Sequence, residues 1–183
     1  MNKKLSVIVS FYNEEESIDL FIDETVKELS SINNLDYEII FVNDCSKDKS
    51  LEKLLLQRDK NKKIKIINLS RRFGPMESIM AGLKMSTGDA LVNLDIDLQD
   101  PPSLIKDMVK FWREDNYDVV YTTRTKRSGE PLIKRFISSI GYKILKKFTN
   151  IPIEKDSGDF RLISRRVINE YKKFNEVYPF FRF

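Results

Sequence analysis

A chain of 183 residues, 41% of them hydrophobic, with a formal charge of +4, has the size and composition of one folded domain. It can bury roughly two-thirds of its unfolded surface. With no histidine and a single cysteine, Cys45, it excludes His-ligated zinc, Ser-His or Cys-His nucleophiles and any intrachain disulfide, and it suits a reducing compartment.

Acid–base or metal chemistry must therefore run on carboxylates. The apolar run Leu5–Phe11 is too short for a secretory leader, and no run of about 18 apolar residues occurs, so no membrane span is expected. Short β-rich runs at Leu5–Phe11, Tyr37–Val42, Ile64–Leu69 and Ala90–Leu94 alternate with helical spacing at Ile18–Leu29, at Leu51–Leu56 and around Ile79, Met80, Leu83 and Met85. A helix at Leu104–Trp112, introduced by Pro101-Pro102, leads to a fifth strand at Asp118–Thr123. This order predicts an α/β domain over residues 1–183, with a mostly parallel sheet flanked by helices and strands buried on both faces.

In such sheets ligands sit beyond the carboxyl ends of the strands. Those ends are Tyr12–Glu15, Asn43–Ser46, Ser70–Phe73 and Asp95–Asp100, and all but the third carry acids. Asp95 and Asp97, one residue apart after a hydrophobic strand, are hard oxygen ligands suited to Mg²⁺ or Mn²⁺, with positions left for a diphosphate. Read locally, Asp97 and Asp100 are turn and helix-capping residues. Asp44 can accept hydrogen bonds from a base or ribose or can close an Asx-turn, and Glu14 can equally serve a helix dipole.

Taken together, Ser6–Glu15, Phe41–Ser46, Leu69–Gly74, Ala81–Gly88, Leu94–Pro102, Tyr117–Arg124 and Ser157–Leu162 resemble, in order, the inverting GT-A glycosyltransferases of family 2, especially the polyprenyl-phosphate group. The resemblance implies a GT-A, Rossmann-like fold, a nucleotide-sugar donor and a polyprenyl-phosphate acceptor. It places Tyr12, Glu14 and Asp44 in the nucleotide pocket, Asp95 on ribose or metal, and Asp97 and Gln99 on the ion. Asp159 falls where the family has its catalytic base, and Arg124, Arg135 and Ser139 fall near acceptor-phosphate positions. Three positions depart from the pattern: Ser10 stands for a common Pro, Asn43 for Asp and Cys45 for Gly. Cys45 bears on the backbone of its turn, because glycine alone takes positive φ without cost. The neighbouring alternative is a family-2 enzyme with a sugar hydroxyl as acceptor.

Residues 125–150 combine Lys126, Arg127, Lys134, Arg135, Lys143, Lys146 and Lys147 with Leu132, Ile133, Phe136, Ile137, Ile140 and Ile144 at helical spacing. This describes either a basic amphipathic helix for an anionic membrane surface or a helix packed on its own core. No nucleic-acid motif accompanies it, so no nucleic-acid partner is expected. Members of the resembled group often carry transmembrane helices after this domain and often assemble. The aromatic terminus Tyr178–Phe183 therefore leads to the expectation of a truncated or peripherally attached protein at the cytoplasmic membrane face, with a homo-oligomer in view.

Overall fold

The hydrophobic runs become a three-layer α/β/α arrangement in the computed structural model, which describes residues 2–123 and 157–173. Arg124, Arg135, Ser139 and the basic segment 125–150 lie outside the described residues. In chain order the elements are β1 (Lys3–Phe11), α1 (Ile18–Ser30), β2 (Leu35–Asn43), α2 (Ser50–Lys60), β3 (Ile64–Asn68), α3 (Pro75–Met85), β4 (Ala90–Asn93), α4 (Leu104–Glu114) and β5 (Val119–Thr123). Two more follow, β6 (Ser157–Ser164) and α5 (Arg165–Tyr171).

The sheet runs β3-β2-β1-β4-β6-β5. β1 is parallel to β2 from Lys3↔Leu35 to Phe11↔Asn43 and to β4 from Leu5↔Ala90 to Ile8↔Asn93. β6 departs from the strand-helix repetition, because it inserts between β4 and β5 and runs antiparallel to both. Burial on both faces holds for β1, β2 and β4, whereas the edge strand β5 alternates between half-buried and exposed residues.

One face of the sheet (Val7, Val9, Phe41, Val92, Leu162) packs against Phe21 and Leu29 of α1, Leu54 of α2 and Ile105, Met108 and Trp112 of α4. The opposite face (Ile8, Ile40, Val42, Leu91, Ile163) packs against Ile79, Met80 and Leu83 of α3 and Ile168 of α5. Gly82 lets α3 lie close on β1, since a Cβ there would come within 2.7 Å of the Ile8 side chain.

At the end of the sheet opposite the strand carboxyl ends, Glu38 is almost fully buried and draws three segments together. Its carboxylate accepts from Ser6 Oγ at 2.6 Å, from the Thr87 N–H at 2.7 Å and from Thr87 Oγ1 at 2.9 Å, and it pairs with Lys4 and Lys65. Burial alone would raise its pKa, but the hydrogen bonds from Lys65, Ser6 and Thr87 outweigh it and hold the carboxyl at about 2. A carboxyl with a lowered folded pKa stabilises the fold fully above its unfolded value, and loses that contribution as pH falls toward about 2. The depression from 4.5 corresponds to about 3 kcal/mol. In urea unfolding, Glu38→Gln is expected to cost about 2–4 kcal/mol at pH 7. The gap from the native chain should narrow as pH is lowered from 4.5, and a gap independent of pH would show that the carboxylate is not what the clasp relies on.

Candidate functional site

Three strands deliver their carboxyl ends to one side of the sheet, and an open cleft of about 320 Å³ lies there. Its lining includes Ser10 and Phe11 at the end of β1, Tyr12 and Glu14 after it, Asp44 after β2, and Asp95, Ile96 and Asp97 after β4. Arg72, Pro75 and Ser78, from the β3–α3 turn and the first turns of α3, complete the wall. The cleft thus gathers Tyr12, Glu14, Asp44, Asp95 and Asp97. Gln99 is exposed outside the lining, and its backbone N–H donates to Asp97 Oδ1 at 3.0 Å. Asp97 is therefore both a turn residue and a cleft residue.

Asp44 is buried, and its carboxylate is engaged at both oxygens. Oδ1 accepts from the Phe73 N–H at 2.7 Å and Oδ2 from the Gly74 N–H at 2.9 Å. These bonds fix the entry to α3, where Gly74 has φ 110° and Pro75 occupies the first turn. Asn43 has work for both halves of its amide. Its Nδ2 donates to Asn68 Oδ1 at 2.8 Å, while its Oδ1 accepts from the Ser46 N–H at 2.9 Å. The β1–α1 loop is tied to the β2–α2 loop through Asn13 N–H to Ser46 Oγ (2.9 Å), Lys47 N–H to Asn13 Oδ1 (2.8 Å) and Glu14 N–H to Ser50 Oγ (2.9 Å).

The turn at Cys45 keeps the conformation that glycine favours, with φ 62°. Asn13 at φ 57° and Leu98 at φ 58° stand likewise directly after Tyr12 and Asp97.

Asp159 lies on β6, at the end nearest the cleft. The β4–β6 register ends at Asn93↔Arg161, and because β6 runs antiparallel to β4, Asp159 falls on the side of Arg161 toward which β4 points its carboxyl end. Between Tyr121↔Arg161 and Thr123↔Ser157 the chain takes two steps on β5 and four on β6, so a bulge spans Gly158–Phe160 with Asp159 at its centre. Bulges of this kind re-aim a strand beside functional sites.

Asp95 and Asp97 are exposed carboxylates at the cleft mouth, and neither histidine nor cysteine lines the cleft. Among the described residues no group of three or more acidic, His or Cys side chains could hold a metal ion by itself. The oxygen donor set fits Mg²⁺ or Mn²⁺ sharing its shell with water and substrate phosphate, as these ions commonly do. Among the described residues no helix is long and apolar enough to cross a membrane. Arg72 is a cleft residue that the pattern of acids after strands does not mark. The available signal was Arg71-Arg72 at the one strand end without a carboxylate.

The glycosyl transferase family 2 model matches residues 6–172. An uncharacterized glycosyltransferase of Synechocystis is 42% identical over 176 residues, covering 96% of this chain and 55% of the relative. A prophage bactoprenol glucosyl transferase homolog of Escherichia coli is 36% identical, covering 92% of this chain and 55% of the relative. The chain thus spans about half the length of the curated relatives it matches. The mannosyltransferase PcManGT from Pyrobaculum calidifontis, solved with GDP-Man and Mn²⁺, shares the fold at a TM-score of 0.64 and 19% identity, over 93% of this chain and 47% of that one.

The left-handed backbone costs a non-glycine residue about 1–2 kcal/mol, part of which glycine returns through its freer unfolded chain. Cys45→Gly is therefore expected to raise the unfolding free energy by about 0.5–1 kcal/mol in urea titration. An unchanged or lower stability would show that the turn carries no strain at this residue.

Proposed function

The chain belongs to glycosyl transferase family 2, and from that premise we propose that it is the catalytic domain of an inverting, metal-dependent transferase. The donor is a UDP- or GDP-sugar, the acceptor a polyprenyl phosphate, and the setting the cytoplasmic face of a membrane. The observation that carries this reading is the convergence of Tyr12, Glu14, Asp44, Asp95 and Asp97 on one cleft where the strand order reverses. The bactoprenol glucosyl transferase name of the prophage homolog supports a lipid-phosphate acceptor, and the GDP-Man and Mn²⁺ of PcManGT support the donor class and the ion.

In this reading Tyr12, Glu14 and Asp44 bind the nucleoside, Asp95 holds ribose or metal, and Asp97 with Gln99 holds the ion. The divalent cation, when bound, offsets the charge that develops on the departing nucleoside diphosphate. An acceptor phosphate oxygen attacks the anomeric carbon as its bond to the diphosphate oxygen breaks, which inverts that carbon. A phosphate monoester with a second pKa near about 6 is already largely dianionic. Asp159 then orients the acceptor more than it removes a proton, and Arg124, Arg135 and Ser139 grip the phosphate. The basic segment 125–150 meets the membrane surface.

Calorimetric titration with UDP and with GDP, each with and without Mn²⁺, tests the donor site. One nucleotide should bind in a metal-dependent way, and Asp97→Asn should weaken it by about tenfold or more. A well-folded chain that binds neither nucleotide overturns the reading. With a polyprenyl phosphate as acceptor, the pH–rate profile should be shallow above about pH 6. A steep loss following one ionisation, abolished in Asp159→Asn, would instead give Asp159 the role of base.

A further inference from the structure

The cleft poses an electrostatic problem. Among the described residues its lining carries the four carboxylates of Glu14, Asp44, Asp95 and Asp97, against a single cationic side chain, Arg72. The donor assigned above is itself an anion. At the entry to α3 the Phe73 and Gly74 N–H groups already donate to Asp44 and Pro75 has no N–H, so these three positions offer an anion no donor. Among the described residues Arg72 forms no salt bridge. Its guanidinium lies over the Tyr12 ring, with Cζ 4.1 Å from the centroid.

No ion pair to a described residue accompanies that contact, and the guanidinium carries five N–H donors in the planar fork that matches phosphate oxygens. The contact with Tyr12 also restrains a side chain that otherwise carries about 2 kcal/mol of rotamer entropy, so less is lost on gripping a ligand. Arg71, by contrast, lies over Phe73, with Cζ 4.2 Å from that ring, and is absent from the cleft lining.

We propose that Arg72, held on the Tyr12 ring, binds the diphosphate of the donor as a counter-charge to it beside the metal. The proposal rests on the donor-site reading and adds a residue to it. It predicts that Arg72 discriminates a nucleoside diphosphate from its nucleoside, whereas a residue acting on the base would affect both alike.

The test is binding in the presence of Mn²⁺ to the native chain, Arg72→Gln and Arg72→Lys, all checked for equal unfolding midpoints. UDP and GDP are titrated by calorimetry, and uridine, guanosine and farnesyl phosphate by NMR. Arg72→Gln should weaken the nucleoside diphosphate by about tenfold to hundredfold, while its nucleoside changes by less than about twofold. Its diphosphate affinity should also depend less on salt. Arg72→Lys should fall between the two, since it keeps the charge and loses the planar fork. Unchanged diphosphate affinity in Arg72→Gln overturns the proposal, as does equal weakening of nucleoside and diphosphate. A change confined to farnesyl phosphate would move Arg72 to the acceptor and also overturn it. If the native chain bound neither diphosphate, the donor-site reading would fall and this proposal with it. Native binding that Arg72→Gln leaves intact would remove the proposal alone.

Discussion

β1 is hydrogen-bonded along both edges, to β2 through its whole length and to β4 through its centre, and both pairings are parallel. Parallel neighbours need crossovers, and crossovers are right-handed. The chain moves outward from β1 to β2 and β3, then returns past β1 to β4, so the crossovers must change face on the way back. α1 and α2 accordingly pack on one side of the sheet and α3 on the other. The loops after β1 and β4 are drawn apart, and the cleft is the gap that this leaves. A site here follows from connectivity before any side chain is chosen.

The three turns around that gap share a local device. Tyr12, Asp44 and Asp97 line the cleft, and each is followed at once by a left-handed residue: Asn13, Cys45 and Leu98. Such a residue reverses the backbone directly after the functional side chain. Asn tolerates the conformation through its short polar side chain, whereas Cys and Leu do so at a cost. Leu98 is held by packing its side chain against the core. Unfavourable backbone conformations persist where the surroundings over-determine them, which is common at ligand sites.

Most of the parallel half was legible in the sequence, because β1, β2 and β4 are buried on both faces and so appear as unbroken apolar runs. β6 was not. In Ser157-Gly158-Asp159-Phe160-Arg161 polar residues and a glycine interrupt the pattern, and the strand exists through its partners β4 and β5. α5, seven residues long and opening on two arginines, lacks the length for a periodic signal. The acids of the cleft were found because carboxylates after strands are conspicuous. The link from Asp44 to Phe73 and Gly74 was not, since a pairing across 30 residues of sequence depends on the sheet having formed.

The pairing of Thr123 with Ser157 gives the second half of the domain a particular freedom. Thr123 and Ser157 are paired on neighbouring strands, so the sheet itself holds together the two points of the chain between which segment 124–156 runs. Doubling such an excursion raises its closure entropy by only about 0.6 kcal/mol. Lineages could lengthen, shorten or exchange that insert while β1, β2 and β4 stay in register. The parallel half of the sheet could then be inherited unchanged while the chain between Thr123 and Ser157 varies.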